Sequence, residues 1–203
     1  AQTGPRHWAE RPRAVDAFDA KADALAALAA AGVPAGAVPA VAEAPSWYHP
    51  GRSGSLRLGQ WTLAHFGELD PRLLRAMDTA GPVAAFEVHL DRLPQPKTKG
   101  AARAPLKLSA LQPVHRDFAF LVDANVTAAE VLRAARSADK VLIADVALFD
   151  VFEGEGVGAG KKSLAIAVTL QPTEATLTDT EIEAVAAKVV AAVKKATGGE
   201  LRG

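Results

Sequence analysis

The chain has 203 residues, 49% of them hydrophobic and 23% charged, which excludes a disordered protein and allows one large or two small domains. Its twenty-three basic and twenty-three acidic side chains create no overall basic field, so any contact with nucleic acid must come from a local patch. The chain has no cysteine, which excludes a disulfide framework, and its apolar stretches are too short to span a bilayer, so we expect a cytoplasmic protein. Because the first residue is not Met, we expect the chain to begin partway through a longer protein.

The first predicted elements form a mixed α/β module. Leu25 and Leu28 have helical spacing ahead of a stop at Gly32, and the dipeptide Gly59-Gln60 separates two apolar runs as in a hairpin. The predicted elements are a helix at residues 16–31, strands at 56–58 and 61–66, a short helix at 70–81 and a strand at 83–90.

Residues 94–113 differ in composition from both of their neighbours. They contain four prolines and four basic residues and no acidic residue. This composition is typical of a solvated linker. Its basic residues are an alternative RNA contact, but the sequence supports no particular site there.

The second module reads in the order strand, helix, strand, strand, helix, strand. Thr127 and Glu130 have the capping-box spacing, in which each side chain satisfies the other's backbone amide. Thr178 and Glu181 repeat it, and Gly198 is a suitable helix end. The predicted segments are strands at residues 116–122, 141–152, 164–170 and 200–202, helices starting at 127 and 178, and a glycine-rich turn at 153–160. This order is the split βαβ pattern of ferredoxin-like folds, so the fold class is α+β.

Alternation along two strands of this module indicates a candidate RNA site. The large side chains of residues 164–170 must meet the helices, and the small ones between them form the opposite face. Asp150 and Phe152 also share a face, where a carboxylate and a ring can hold an unstacked guanine. Lys161, Lys162 and Arg202 are candidates for phosphate contacts. From the residues alone, a turn acceptor and a core ring remain the simpler interpretation of the pair.

Three other kinds of site find no support. The run GEGVGAGKKS at residues 154–163 fails as a phosphate-binding loop, because Lys161 is followed by Lys162 and a strand instead of a hydroxyl residue and a helix. The five histidines have no zinc-ligand spacing, and no GxSxG motif is present. We therefore expect the chain itself to be non-catalytic, without a metal or other cofactor of its own.

Five motifs of the second module occur together in one order. They are VHRDFAFLVD (114–123), LFDVFEG (148–154), GKKSLA (160–165), TLTDTEI (176–182) and ELRG (200–203). This set closely resembles the ferredoxin-fold anticodon-binding domain that ends the bacterial phenylalanyl-tRNA synthetase beta subunit. The first module agrees, because its motifs look like the end of that subunit's synthetase-like module, a degenerate relative of class II catalytic domains. Those motifs are AVDAFDAKAD (14–23), WYHPGRSG (47–54), HFGELDPRLLRAMD (65–78) and VAAFEVHLD (83–91).

The resemblance implies a division of the chain and a function. Residues 1–93 would be the C-terminal part of the non-catalytic synthetase-like module, 94–113 a linker, and 114–203 the anticodon-binding domain. The family enzyme is an alpha-two beta-two tetramer that joins phenylalanine to tRNA(Phe) with ATP and magnesium, and its active site is on the alpha subunit. This chain would then recognise the anticodon and assist subunit assembly. A rival hypothesis keeps the fold and makes the second module a small-ligand or protein-interaction module without RNA binding.

The motifs, matched residue by residue, also imply an RNA-binding set. The acid of LFDVF is Asp150, which would read the edge of the first anticodon base, guanine, and the ring two positions later is Phe152, which would stack on it. Ala119, Ser163 and Arg202 match family positions that line the anticodon pocket. Many relatives carry Tyr where this chain has Phe152, so stacking would be kept while a hydroxyl contact is lost.

Overall fold

The computed structural model describes residues 2–5, 7–9, 11–34, 38–94 and 109–202. Two compact units divide the chain, Ala1–Ala102 and Arg103–Gly203. Most of the predicted linker lies outside the described residues, so its bounds and those of the two predicted domains stay predictions. Within the described ranges, no helix is both long and apolar enough to cross a membrane.

The first unit is an antiparallel sheet with one long helix packed on it. Its elements are α1 (Ala17–Ala30), β1 (Ala40–Val41), β2 (Tyr48–Leu58), β3 (Trp61–Leu69), α2 (Pro71–Ala76), β4 (Ala84–Val88) and a 3-10 helix (Leu90–Arg92). The four strands follow chain order across the sheet. Asp16 caps the start of α1, which buries Ala20, Ala24 and Leu28, each one turn from the next, in a shared core with β3 and β4.

Two details of this unit differ from the sequence prediction. Helix α2 ends at Ala76 instead of continuing to residue 81, because Asp78 takes a left-handed conformation with φ 49° and turns the chain out of the helix. Strand β2 begins at Tyr48, well before the predicted residue 56, so the HPGR segment at 49–52 belongs to an irregular stretch of that strand.

The second unit has the predicted ferredoxin-like order. Its elements are β5 (Val114–Asp123), α3 (Ala128–Ser137), β6 (Ile143–Phe152), β7 (Lys161–Leu170), α4 (Asp179–Thr197) and β8 (Glu200–Leu201). The strand order across the sheet is β6-β7-β5-β8, and all neighbours are antiparallel. Both predicted capping boxes are present, and α4 ends at Gly198, which has φ 69° and donates its N–H to the carbonyl of Lys194.

Helices α3 and α4 share their core with one face of this sheet. The fully buried side chains of that face include Phe120 of β5 and Leu164, Ile166, Val168 and Leu170 of β7. The residues of β7 between them, at positions 163, 165, 167 and 169, belong to the opposite face because side chains alternate along a strand. We call this the open face, since neither helix covers it.

Candidate nucleic-acid interface

Strand register brings four of the predicted site residues to the open face. On the central strand β7, Ala165 lies between Ala119 of β5 and Asp150 of β6. One step along the same face, Ser163 is opposite Phe152. Because neighbouring strands lie about 4.8 Å apart and successive residues of one face about 6.6 Å apart, these side chains share a patch roughly 10 Å across.

A β-bulge in β6 determines that Asp150 and Phe152 face outward. Leu148 pairs on the core side of β7, whereas Asp150 is opposite Ala165 on the open face, which makes Phe149 an extra residue without a partner on β7. In an unbroken ladder, every second residue after Leu148 would remain on the core side. Asp150 and Phe152 would then be directed at the helices, where no base could reach them.

The patch combines an exposed acceptor, a half-exposed ring and a small floor. Asp150 is exposed and, within residues 109–202, forms no ion pair, whereas Asp145 on the same strand is paired with Arg136 at 3.2 Å. The ring of Phe152 is 41% exposed. Ser163 is buried beside it, so a ligand would meet the ring and the carboxylate before the serine hydroxyl.

Arg202, which follows directly after β8, completes the patch. Its backbone N–H donates to the carbonyl of Ala119 at 2.7 Å, which continues the pairing of the two-residue strand β8 with β5. Its guanidinium carbon lies over the ring of Phe152, 5.9 Å from the ring centroid, within the range of a cation–π contact. All five predicted residues are thus brought together.

Three further charged residues lie near the patch, and they are not equivalent. Lys161 is two residues from Ser163 on the same face and is exposed. Lys162 donates its Nζ to the carbonyl of Ala124 at 2.9 Å, so it already has a partner. Asp117, which is not among the predicted site residues, is exposed on the open face opposite Ala167. The signal was available, because Asp117 precedes Ala119 by two residues and therefore shares its face.

A second polar cluster, in the first unit, resembles a catalytic arrangement without having its properties. Ser55 Oγ lies 3.2 Å from Nδ1 of His65, and Glu87 is the neighbour of His65 on the next strand. The serine is buried, however, and its hydroxyl donates to the carbonyl of Glu43. Burial is the main cause that lowers the pKa of His65, and the electrostatic effect of His89 adds to it.

Glu87, the acid of this cluster, is hydrogen-bonded to other side chains. Glu87 accepts hydrogen bonds from Trp47 Nε1 at 2.8 Å and from the Tyr48 hydroxyl at 3.0 Å. The first of these bonds is the main reason that the pKa of Glu87 is lowered, whereas burial raises the pKa of Tyr48. The cluster therefore ties the loop before β2 to the sheet. Within the described part of the chain, no three histidine or acidic side chains form a metal-binding group.

Comparison with known proteins gives the family. Residues 109–202 match a family model described as the ferredoxin-fold anticodon binding domain, and residues 1–90 match the phenylalanyl tRNA synthetase beta chain CLM domain. The chain belongs to the phenylalanyl-tRNA synthetase beta-chain family. The resemblance inferred from the motifs is confirmed, and the family's anticodon-binding domain is the part that carries the open face.

Three similar curated proteins have the same name, phenylalanine–tRNA ligase beta subunit. The chain is 63% identical to the phenylalanine–tRNA ligase beta subunit of Paramagnetospirillum magneticum, over 98% of this chain and 25% of the relative. It is 55% identical to that of Rhodospirillum rubrum and 58% identical to that of Bradyrhizobium diazoefficiens, over 98% and 97% of this chain and again 25% of each relative. The chain therefore spans about a quarter of the length of these synthetase beta chains.

Proposed function

We propose that the second unit recognises the anticodon of tRNA(Phe), and that the chain contributes to subunit assembly within phenylalanine–tRNA ligase. That enzyme attaches phenylalanine to tRNA(Phe) with ATP. The observation that carries the proposal is the outward orientation of Asp150 and Phe152, which depends on the bulge at Phe149. Had the pair been buried against the helices, a ligand-binding or protein-interaction module without RNA would be favoured instead.

The chemistry of the patch suits a single unstacked guanine. An ionised Asp150 only accepts hydrogen bonds, and the edge of guanine offers the N1–H and N2–H donors that it needs. Phe152 supplies a stacking surface, and a guanidinium plane such as that of Arg202 can stack on the opposite side of a base. The side chains of Ala119 and Ser163 are small, so they leave room for the base over the face of the sheet.

The partners and cofactors of the proposed function lie largely outside this chain. The relatives are named as beta subunits, which supports an alpha subunit as the protein partner. We propose that the two assemble as an alpha-two beta-two tetramer. ATP and magnesium would serve the whole enzyme, whose active site we assign to the alpha subunit. This chain would assist the reaction without performing it, in the cytoplasm.

The test is a binding comparison at one fixed moderate salt concentration, because phosphate contacts make affinity strongly salt-dependent. The 203-residue chain is titrated with a phenylalanine-type anticodon stem-loop and with a loop whose first anticodon base is not guanine. We expect the guanine loop to bind more tightly, by roughly 5- to 150-fold, as for one good base contact. Asp150→Ala should remove this ratio while leaving residual affinity from phosphate contacts.

The matched control is Asp145→Ala, which removes the same charge from the same strand at a carboxylate already paired with Arg136. It should leave the guanine ratio unchanged. Equal binding of the two loops by the unsubstituted chain would reject direct base reading. If both variants lose the preference for the guanine loop, that preference depends on net charge and not on a contact with Asp150.

A further inference from the structure

We infer, on the basis of the proposed anticodon function, that Asp117 is a second base-reading residue of the open face. Its carboxylate accepts a hydrogen bond from the exocyclic amino group of the nucleotide that follows the guanine. The open face would then read two neighbouring bases with two carboxylates, one on each side of the central strand.

The register places Asp117 in a suitable position. It is opposite Ala167 of β7, one step along the open face from Ala165, which is opposite Asp150. At ordinary strand spacing the Cα atoms of Asp117 and Asp150 lie roughly 12 Å apart on the diagonal. The surface between the two acids is made of alanine side chains, so two adjacent bases splayed over it meet no bulky obstacle.

Asp117 is also free to act as an acceptor. It is exposed, and within residues 109–202 it forms no ion pair, in contrast to Asp145 on the same face. Arg116 is opposite Val168, so it belongs to the core-side face of β5. His115, the next residue of the open face, is hydrogen-bonded through Nδ1 to a threonine hydroxyl of β7 at 3.1 Å.

The chemistry of Asp117 fits the second base of the anticodon. An ionised carboxylate only accepts hydrogen bonds, so the base beside it must present a donor. In a phenylalanine anticodon the base after guanine is adenine, whose N6 amino group is such a donor. A pyrimidine or purine that presents an acceptor at this edge would leave two acceptors facing each other, which is unfavourable.

The experiment removes only the amino group. The 203-residue chain is titrated with the phenylalanine-type loop and with the same loop carrying unsubstituted purine in place of the second anticodon base. We expect the unsubstituted chain to bind the purine loop about 3- to 10-fold more weakly, which is the net effect of one ordinary hydrogen bond in exchange with water. Asp117→Ala should bind both loops equally, and Asp117→Asn, whose amide oxygen still accepts, should retain part of the difference.

Two controls separate this inference from the anticodon function itself. Asp123→Ala removes an acid from the same face of the same strand and should leave the ratio of adenine to purine binding unchanged. Each Asp117 variant should keep the guanine ratio, which reports on Asp150. The inference is overturned if purine weakens binding equally in the unsubstituted chain and in Asp117→Ala. This holds even if both still prefer the guanine loop. Failure of every loop to bind overturns both proposals.

Discussion

Replacement of Phe152 by alanine tests the stacking surface of the proposed base site directly. Stacking of a base on an aromatic ring contributes about 1 to 3 kcal/mol to binding. The guanidinium of Arg202 already lies over this ring at 5.9 Å, and an exposed cation–π contact of this kind is worth about 0.5 to 1 kcal/mol, which an entering base must replace. The net loss for Phe152→Ala should be about 0.5 to 2 kcal/mol, or roughly 2- to 30-fold weaker binding.

Loss of the ring must be separated from loss of folding. Because Phe152 is 41% exposed, its removal should lower the free energy of unfolding by only about 1 to 2 kcal/mol, which leaves the unit folded at room temperature. Fluorescence anisotropy with the labelled guanine loop measures the affinity, and urea unfolding measures the stability. Phe152→Leu is the matched control, since it keeps apolar volume without a ring, and Phe152→Tyr keeps the ring. If the leucine variant binds as tightly as the unsubstituted chain, the ring does not stack on the base.

Two predictions concern stability. Gly198→Ala should lower the free energy of unfolding by about 1 kcal/mol. The residue has φ 69°, and an added Cβ would touch nothing within 4 Å, so backbone strain is the only cost. An unchanged midpoint of unfolding in urea would contradict this prediction. The side chain and the backbone N–H of Arg72 bond to the buried cap residue Asp70 and lower its pKa from 3.8 to about 2. A lowered carboxyl pKa stabilises the folded state above the unfolded value, and this stabilisation is lost as the pH falls towards 2. Asp70→Asn should therefore unfold more easily than the unsubstituted chain at pH 7. Tryptophan fluorescence should show that the difference in stability between the two chains disappears between about pH 4 and pH 2. A difference that does not change with pH would show that the charge of Asp70 is not its cause.

Most of the second unit could be predicted because its signals are local. Thr127 and Thr178 cap helices through residues three positions away, and Gly198 ends α4 through its own backbone conformation. The strict alternation of β7 identified its core side before any neighbour was known. Helix α2 was predicted too long because the backbone turn at Asp78 is made by a residue that commonly has negative φ, so that Gly81 looked like the first available stop.

The local sequence could not show that the candidate site residues of β6 face away from the helices. Alternation along β6 says that Asp150 and Phe152 share a face, but it cannot say which face. Counting from the core-packed Leu148 would have given the wrong answer, because the bulge at Phe149 is visible only once β6 is aligned with β7. The resemblance to a family selected residues that the structure brings together, for a reason that the single sequence does not contain. Alternation along β5 also places Asp117, which is not among the predicted residues, on the face of Ala119.

Because β8 is short, the two sides of the proposed base site are held by different numbers of backbone hydrogen bonds. Asp150 and Phe152 are held by the ladder between β6 and β7, which runs almost the full length of both strands. Arg202 is held by two paired residues and the single backbone bond to Ala119. Local opening needs few broken bonds in such a short strand, so the Arg202 side opens at lower free energy than global unfolding. In the proposed base site, the side formed by Arg202 should therefore open more readily than the paired strands that hold Asp150 and Phe152.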